Sequence, residues 1–259
     1  MKKISSVLNE SLQKLKPAHF SELKPEYKCD LCEDRGIIIS GGKAKKCSCT
    51  KNNSLRLRSL FGEALQKANF DNFDFSYYNN AHFADEEIRD RENAVRTHRE
   101  AKNFVELLLA GQKPKGLVLM GNVGSGKTHL AAAITNALQS NDIYALFVVV
   151  PELLDELRAT YRNDGLDESK IMDSAKNSPV LILDDLGAHN YTEWTRNKIF
   201  SLLNFRLMHA LPTVITTNLI MEEMEEYLGE RTSSRVVELC KICRLSTEKD
   251  IRFQKNPKK

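Results

Sequence analysis

Long hydrophobic runs are missing from this sequence. Stretches such as ALFVVV at 145–150 fall far short of the roughly 20 apolar residues that cross a bilayer as a helix. The opening MKKISSVLNESLQKLK carries lysines but no apolar core of signal-peptide length. Both absences point to a cytoplasmic protein with no membrane partner. There is one tryptophan, Trp194. No internal repeat and no long low-complexity tract is present. Cysteine is scarce outside one short stretch, with only Cys240 and Cys243 elsewhere. In a reducing compartment such cysteines serve as thiolate ligands or core residues rather than disulfides.

What is there suits one large domain with a small appendage: 259 residues, 41% hydrophobic and 28% charged. The formal net charge of +3 hides an asymmetry. Residues 1–60 hold 13 Lys and Arg against 6 Asp and Glu, a balance of +7, which leaves 25 against 29 for the rest, a balance of −4. A basic front end fits an acidic partner, nucleic acid or protein, and equally a solvated lysine-rich arm.

Helical spacing places Val7, Leu8, Leu12 and Leu15 on one face of a short helix that Pro17 ends. A second helical pattern follows residue 50. DNFDFSYYNNAH at 71–82 reads as an irregular linker, and 85–110 as a long helix capped by Asp85. After Gly111 apolar strands alternate with helices: strands at 116–120, 145–150, 179–187, 212–218 and 242–247, and helices at 128–139, after Pro151, and at 194–209, 221–228 and 232–239. Near-continuous apolar strands between helices predict an α/β fold, a parallel sheet covered on both faces.

GNVGSGKT at 121–128 has the spacing G-x-x-x-x-G-K-[ST] and sits between a strand and a helix. Glycines let backbone N–H groups turn toward phosphates. The candidate phosphate-binding set is Gly121, Asn122, Val123, Gly124, Ser125, Gly126, Lys127, Thr128 and His129. Lys127 reaches the β- and γ-phosphates, Thr128 offers a hydroxyl to Mg²⁺, and the helix turns its positive end to the anion. VLILDDLG drives a strand through the sheet and releases Asp184 and Asp185 at its carboxyl end, where ligands bind in open α/β sheets. Asp184 is the expected Mg²⁺ partner, and Asp185 is placed to polarise an attacking water. VITTN ends another strand with Asn218, whose amide could hold that water or simply make a turn. Arg231 and Arg235, spaced i, i+4, share one helix face and suit a neighbouring subunit's γ-phosphate or a solvated pair.

From about residue 100 to 255 the chain resembles the AAA+ ATPases of the DnaC/DnaI helicase-loader and IstB group. The likeness lies in GLVLMGNVGSGKTHLAAAITNAL, LILDDLG, NFRLMHALPTVITTNL and LGERTSSRV. It implies a nucleotide-bound oligomer on single-stranded DNA that delivers a replicative helicase, with ATP or ADP and Mg²⁺ as cofactors. It implies that Asn218 is the sensor residue and that Arg235, with Arg231 beside it, is the arginine finger acting in trans. Tyr161, Thr192 and Trp194 resemble positions that line the loaders' single-strand channel, where bases stack on aromatic rings. Packing in the core or at a subunit interface is the other reading of these side chains. Many AAA+ proteins carry Glu where this chain has Asp185, and no extended C-terminal lid follows Arg235. An IstB-like transposition helper shares the same ATPase. A third class, an adaptor whose nucleotide site only changes shape, is at odds with intact Lys127, Asp184 and Asp185.

The remaining feature is KCDLCEDRGIIISGGKAKKCSC at 28–49. Cys29-x₂-Cys32 and Cys47-x-Cys49 can enclose one Zn²⁺ tetrahedrally. The intervening IIIS-GG-KAKK reads as a hairpin that returns the second pair to the first. Lys43, Lys45 and Lys46 crowd its turn, so the module suits DNA or protein, and the resemblance favours the helicase. Cys240 and Cys243 repeat the C-x₂-C spacing but read as buried core thiols. The expected organisation is thus 1–65, an N-terminal helix and zinc-ribbon-like domain; 66–95, a linker and the start of the long helix; and 96–259, the AAA+ ATPase domain.

Overall fold

The computed structural model describes residues 31, 37–40, 43–47, 63–78, 90–159, 168–188 and 191–255. Two short strands, β1 (Ile37–Ser40) and β2 (Lys43–Lys46), pair antiparallel as the hairpin pattern predicts. The larger sheet has five strands: β3 (Gly116–Met120), β4 (Ala145–Val149), β5 (Val180–Leu186), β6 (Thr213–Thr217) and β7 (Cys240–Arg244). All pair in parallel, in the order β4-β5-β6-β3-β7. The helices are α1 (Glu63–Gln66), α2 (Asp90–Leu109), α3 (Lys127–Ser140), α4 (Val150–Ala159), α5 (Glu168–Asn177), α6 (Glu193–Met208), α7 (Met221–Leu228), α8 (Glu230–Leu239) and α9 (Ile251–Lys255). None among the described residues is long and apolar enough to cross a membrane.

Strand side chains alternate between two faces, and the core divides accordingly. Leu117, Leu119, Val180, Ile182 and Val214 pack with α2 and α3. Val118, Leu181, Leu183 and Ile215 pack with α4 to α8 on the other side. This is why the central strands β3, β5 and β6 read as largely apolar runs: each is buried on both faces.

The same alternation settles the second cysteine pair. β7 begins at Cys240, two residues before the strand expected from the sequence. Three positions apart on a strand, Cys240 and Cys243 point to opposite faces, one into each core cluster. They are buried thiols, as read from the sequence, and cannot share a metal.

The long helix expected over 85–110 is described from Asp90, so Asp85 lies outside the described residues. α5 and α9 carried no sequence expectation. α5 is tied in by Arg206, fully buried in α6. Its guanidinium donates to the carbonyls of Ala175, Lys176, Ser178 and Pro212 at 2.7–3.0 Å and to Thr213 Oγ1 at 2.8 Å. One side chain therefore joins the end of α5 to the start of β6; burial pulls the guanidinium pKa down to about 9, and these hydrogen bonds offset part of that penalty.

Candidate nucleotide site

β3, β5 and β6 are neighbours, or one strand removed, in a parallel sheet, so their carboxyl ends open onto one cleft of about 550 Å³. The loop after β3 passes through Gly124 (φ 72°) and Gly126 (φ 91°), left-handed positions that glycine adopts freely. Space is also tight there. A Cβ on Gly124 would lie 2.0 Å from the Asp250 carboxylate, and one on Gly126 would lie 2.8 Å from the Tyr78 hydroxyl.

Lys127 opens α3 and is buried. Its ammonium donates to the carbonyls of Gly121 (2.8 Å) and Asn122 (2.6 Å). Burial pulls its pKa down to about 8, against Asp185 and Asp184, which favour the charged form. Thr128 Oγ1 donates to Asp184 Oδ2 at 3.3 Å, and Thr216 Oγ1 donates to Asp184 Oδ1 at 2.7 Å. Burial raises the Asp184 pKa while the two hydroxyls work against that rise. Asn218 Nδ2 donates to Asp185 Oδ1 at 3.2 Å. The structure thus brings Lys127, Thr128, Asp184, Asp185 and Asn218 to one cleft.

Of the other sequence candidates, Val123, Gly124, Ser125, Gly126 and His129 also line this cleft, and the rest fall elsewhere. Asn122 ties the loop to the C-terminal segment: Nδ2 donates to Thr247 O (2.5 Å), and Oδ1 accepts from Thr247 N (3.0 Å). His129 lines the cleft with its ring 6.0 Å from Phe73. Arg231 and Arg235 lie on α8 and do not line the chain's own cleft. Arg231 sits over the Phe200 ring, and Arg235 pairs with Glu238. Thr192 caps α6, its side chain accepting from Thr195 N. Trp194 packs partly buried against the second core cluster with Lys198 over its ring at 5.5 Å. Tyr161, Cys29, Cys32 and Cys49 lie outside the described residues, and Cys47 is buried.

Two walls of the cleft were not assigned to the site by the motifs. Phe73, Tyr77 and Tyr78 come from the segment before α2, and Ile251, Arg252 and Lys255 from α9. The aromatic run at 73–78 was the available sequence signal; α9, five residues long, left none. The first wall is fastened to the site it flanks. Asn136 of α3 donates to Leu65 O and Ala68 O, His98 of α2 meets Phe70 O at 2.9 Å, and Tyr78 OH donates to Ser125 O at 2.6 Å inside the phosphate loop. The second wall is held by Ile251 N donating to Gly124 O at 3.1 Å.

These residues fit a nucleotide's phosphates. The loop has no room for side chains at two glycines, a buried ammonium stands at its base, and α3 directs its positive end there. Thr128 and Asp184 supply the hard oxygen donors that Mg²⁺ requires. A parallel sheet in this order, with this loop after β3, paired aspartates on β5 and an asparagine after β6, defines a P-loop ATPase of the AAA+ type.

The chain belongs to the family of IstB-like ATP binding proteins, whose model matches residues 65–245. It is 27% identical over 241 residues to the replicative helicase loader DnaC of Escherichia coli (strain K12), covering 91% of this chain and 90% of that protein. Among solved structures it resembles DnaI (TM-score 0.59, 29% identity, 71% of this chain and 94% of that one). It also resembles the DnaC helicase loader (TM-score 0.58, 26% identity, 71% and 99%).

The Tyr78 hydroxyl gives a direct test of the first wall. Tyr78→Phe keeps the ring stacked on Phe73 and removes only the bond to the loop. ATP affinity should weaken about 3- to 10-fold, the value of one hydrogen bond, in titration calorimetry. Affinity within twofold of wild type would mean the loop holds its shape without Tyr78.

Proposed function

We propose that this chain is an ATP-dependent loader of a replicative DNA helicase, acting in the cytoplasm during replication initiation. The observation that carries this reading is the extent of the DnaC match, which spans most of both chains, whereas the IstB-like model begins at residue 65. The loop amides and Lys127 bind the phosphates. Thr128 and Asp184 would hold Mg²⁺, which when bound neutralises charge on the β- and γ-phosphates. Asp185 takes a proton from the attacking water, and Asn218, which donates to Asp185 Oδ1, orients that carboxylate.

Self-association completes the site. Arg235, with Arg231 beside it, does not line its own cleft and would stabilise the γ-phosphate held by the next subunit. Arg235→Ala should abolish ATP hydrolysis with little change in ATP affinity, and mixing it with Lys127→Ala chains should restore part of the activity. Equal loss of ATP binding would count against a finger in trans.

Single-stranded DNA would pass Tyr161, Thr192 at the cap of α6 and Trp194 in its first turn. As the only tryptophan, Trp194 should lose fluorescence on addition of oligo-dT with ATP; an unchanged spectrum under saturating DNA would place the strand elsewhere.

The N-terminal region, residues 1–65, is the partner grip, folded around Zn²⁺. The hairpin supports this geometry. Ile37 pairs with Lys46, so the hairpin brings Cys47, the residue after β2, back toward the start of β1. Of the four cysteines only Cys47 is described, and among the described residues no cluster of three His, Cys, Asp or Glu is placed for a metal. The purified full chain should carry about one zinc, as four thiolates imply, and capture its host's replicative helicase. Cys29→Ser should lose both. A folded, zinc-free chain would contradict the metal module, and capture of a transposase instead would select the IstB-like transposition role.

A further inference from the structure

Asp184 and Asp185 are adjacent on a strand, and adjacent strand residues point to opposite faces. Here both line one cleft. The explanation lies in the ladder between β5 and β6. Leu183 pairs with Ile215, but the next pair is Leu186 with Thr217. Three steps along β5 therefore match two along β6. This is a β-bulge with one extra residue, and Asp184 and Asp185 together oppose Thr216. Asp185 takes the left-handed conformation, φ 62°, which costs a side-chain-bearing residue energy, though Asp less than most, and which local bonds therefore help to hold.

The Thr216 hydroxyl supplies two such bonds. The Asp185 amide, displaced from the regular ladder, donates to Thr216 Oγ1 at 2.9 Å. The same oxygen donates its own hydrogen to Asp184 Oδ1 at 2.7 Å. Thr216 is 1% exposed, so water cannot readily replace either bond. The neighbouring Thr217 closes the far end of the bulge, with Oγ1 donating to Leu186 O at 2.6 Å. Side chains of β6 thus stand in for ladder bonds that β5 has lost.

We propose that Thr216 is a positioning residue for ATP hydrolysis: its hydroxyl pins the β5 bulge and so holds Asp184 and Asp185 on the same side of the sheet. Thr216 acts through the two carboxylates and need not touch nucleotide. This rests on the reading that the chain hydrolyses ATP with those two residues.

The test compares Thr216→Val, which keeps the shape and removes the hydroxyl, with Thr216→Ser, which keeps the hydroxyl. ATP turnover, ATP affinity and melting temperature are measured on the full chain. Thr216→Val should lower kcat about 10- to 100-fold, as expected for lost hydrogen bonds to charged and strained groups. ATP affinity should stay within about threefold of wild type, because Lys127 and the loop amides are left in place. Thr216→Ser should recover most of the turnover. Thr216→Ala reports the same loss if the valine variant does not fold. Folded valine or alanine variants with lowered melting temperature and undiminished kcat would show that the hydroxyl serves folding alone and would overturn the proposal. Equal losses in the serine and valine variants would overturn it as well. Wild-type protein that binds but does not turn over ATP would instead refute the hydrolysis reading on which this inference stands.

Discussion

The site depends on one carboxylate held from both sides. Asp184 accepts from Thr128 at the start of α3 and from Thr216 on β6, which joins the element after β3 to β5 and β6 across the carboxyl edge of the sheet. A buried acid is costly in its charged form, and burial here raises its pKa. The two hydroxyls offset that cost. They also fix where the charge sits: beside Lys127 and facing the glycine-rich loop. Sheet order matters for the same reason, since only a parallel sheet brings these three ends to one edge.

The sheet supplies the floor of the cleft but not its walls. Those come from segments on either side of the ATPase core, 65–78 and 245–255, and both hold the phosphate loop by its backbone carbonyls, Ser125 O on one side and Gly124 O on the other. Under the proposed function this has a mechanical consequence. The segment that follows the N-terminal region is bonded to α3, to α2 and to the phosphate loop, so a change in loop geometry with nucleotide would be passed to it through Tyr78.

Much of this was legible in the sequence because it is local. The phosphate loop is fixed by glycines and a lysine within eight positions, and each sheet strand by a short apolar run. The paired aspartates and the TTN strand end fell where parallel strands deliver ligands. The unread parts depend on contacts between distant residues. Arg206 looks like an ordinary helical arginine until β6 and α5 converge on it, and Tyr78 like a loop aromatic until it meets Ser125, 47 positions away. The β5 bulge cannot be seen in VLILDDLG alone, since it is a mismatch of two strands. Arg231 and Arg235, legible as a helical pair, lie outside the cleft of their own chain. The β1–β2 hairpin was legible in the IIIS-GG-KAKK pattern between the two cysteine pairs; Cys29, Cys32 and Cys49 lie outside the described residues.

The central claim is that nucleotide chemistry at Asp184 drives the delivery of a helicase. The direct measurement is transfer of the replicative helicase onto single-stranded DNA, read as unwinding of a forked duplex, with wild-type chain and with Asp184→Asn. Wild-type chain with ATP is predicted to yield unwinding, while the Asp184→Asn chain still captures helicase and yields little. Delivery that is equally fast without ATP, or equally fast with Asp184→Asn, would contradict the account.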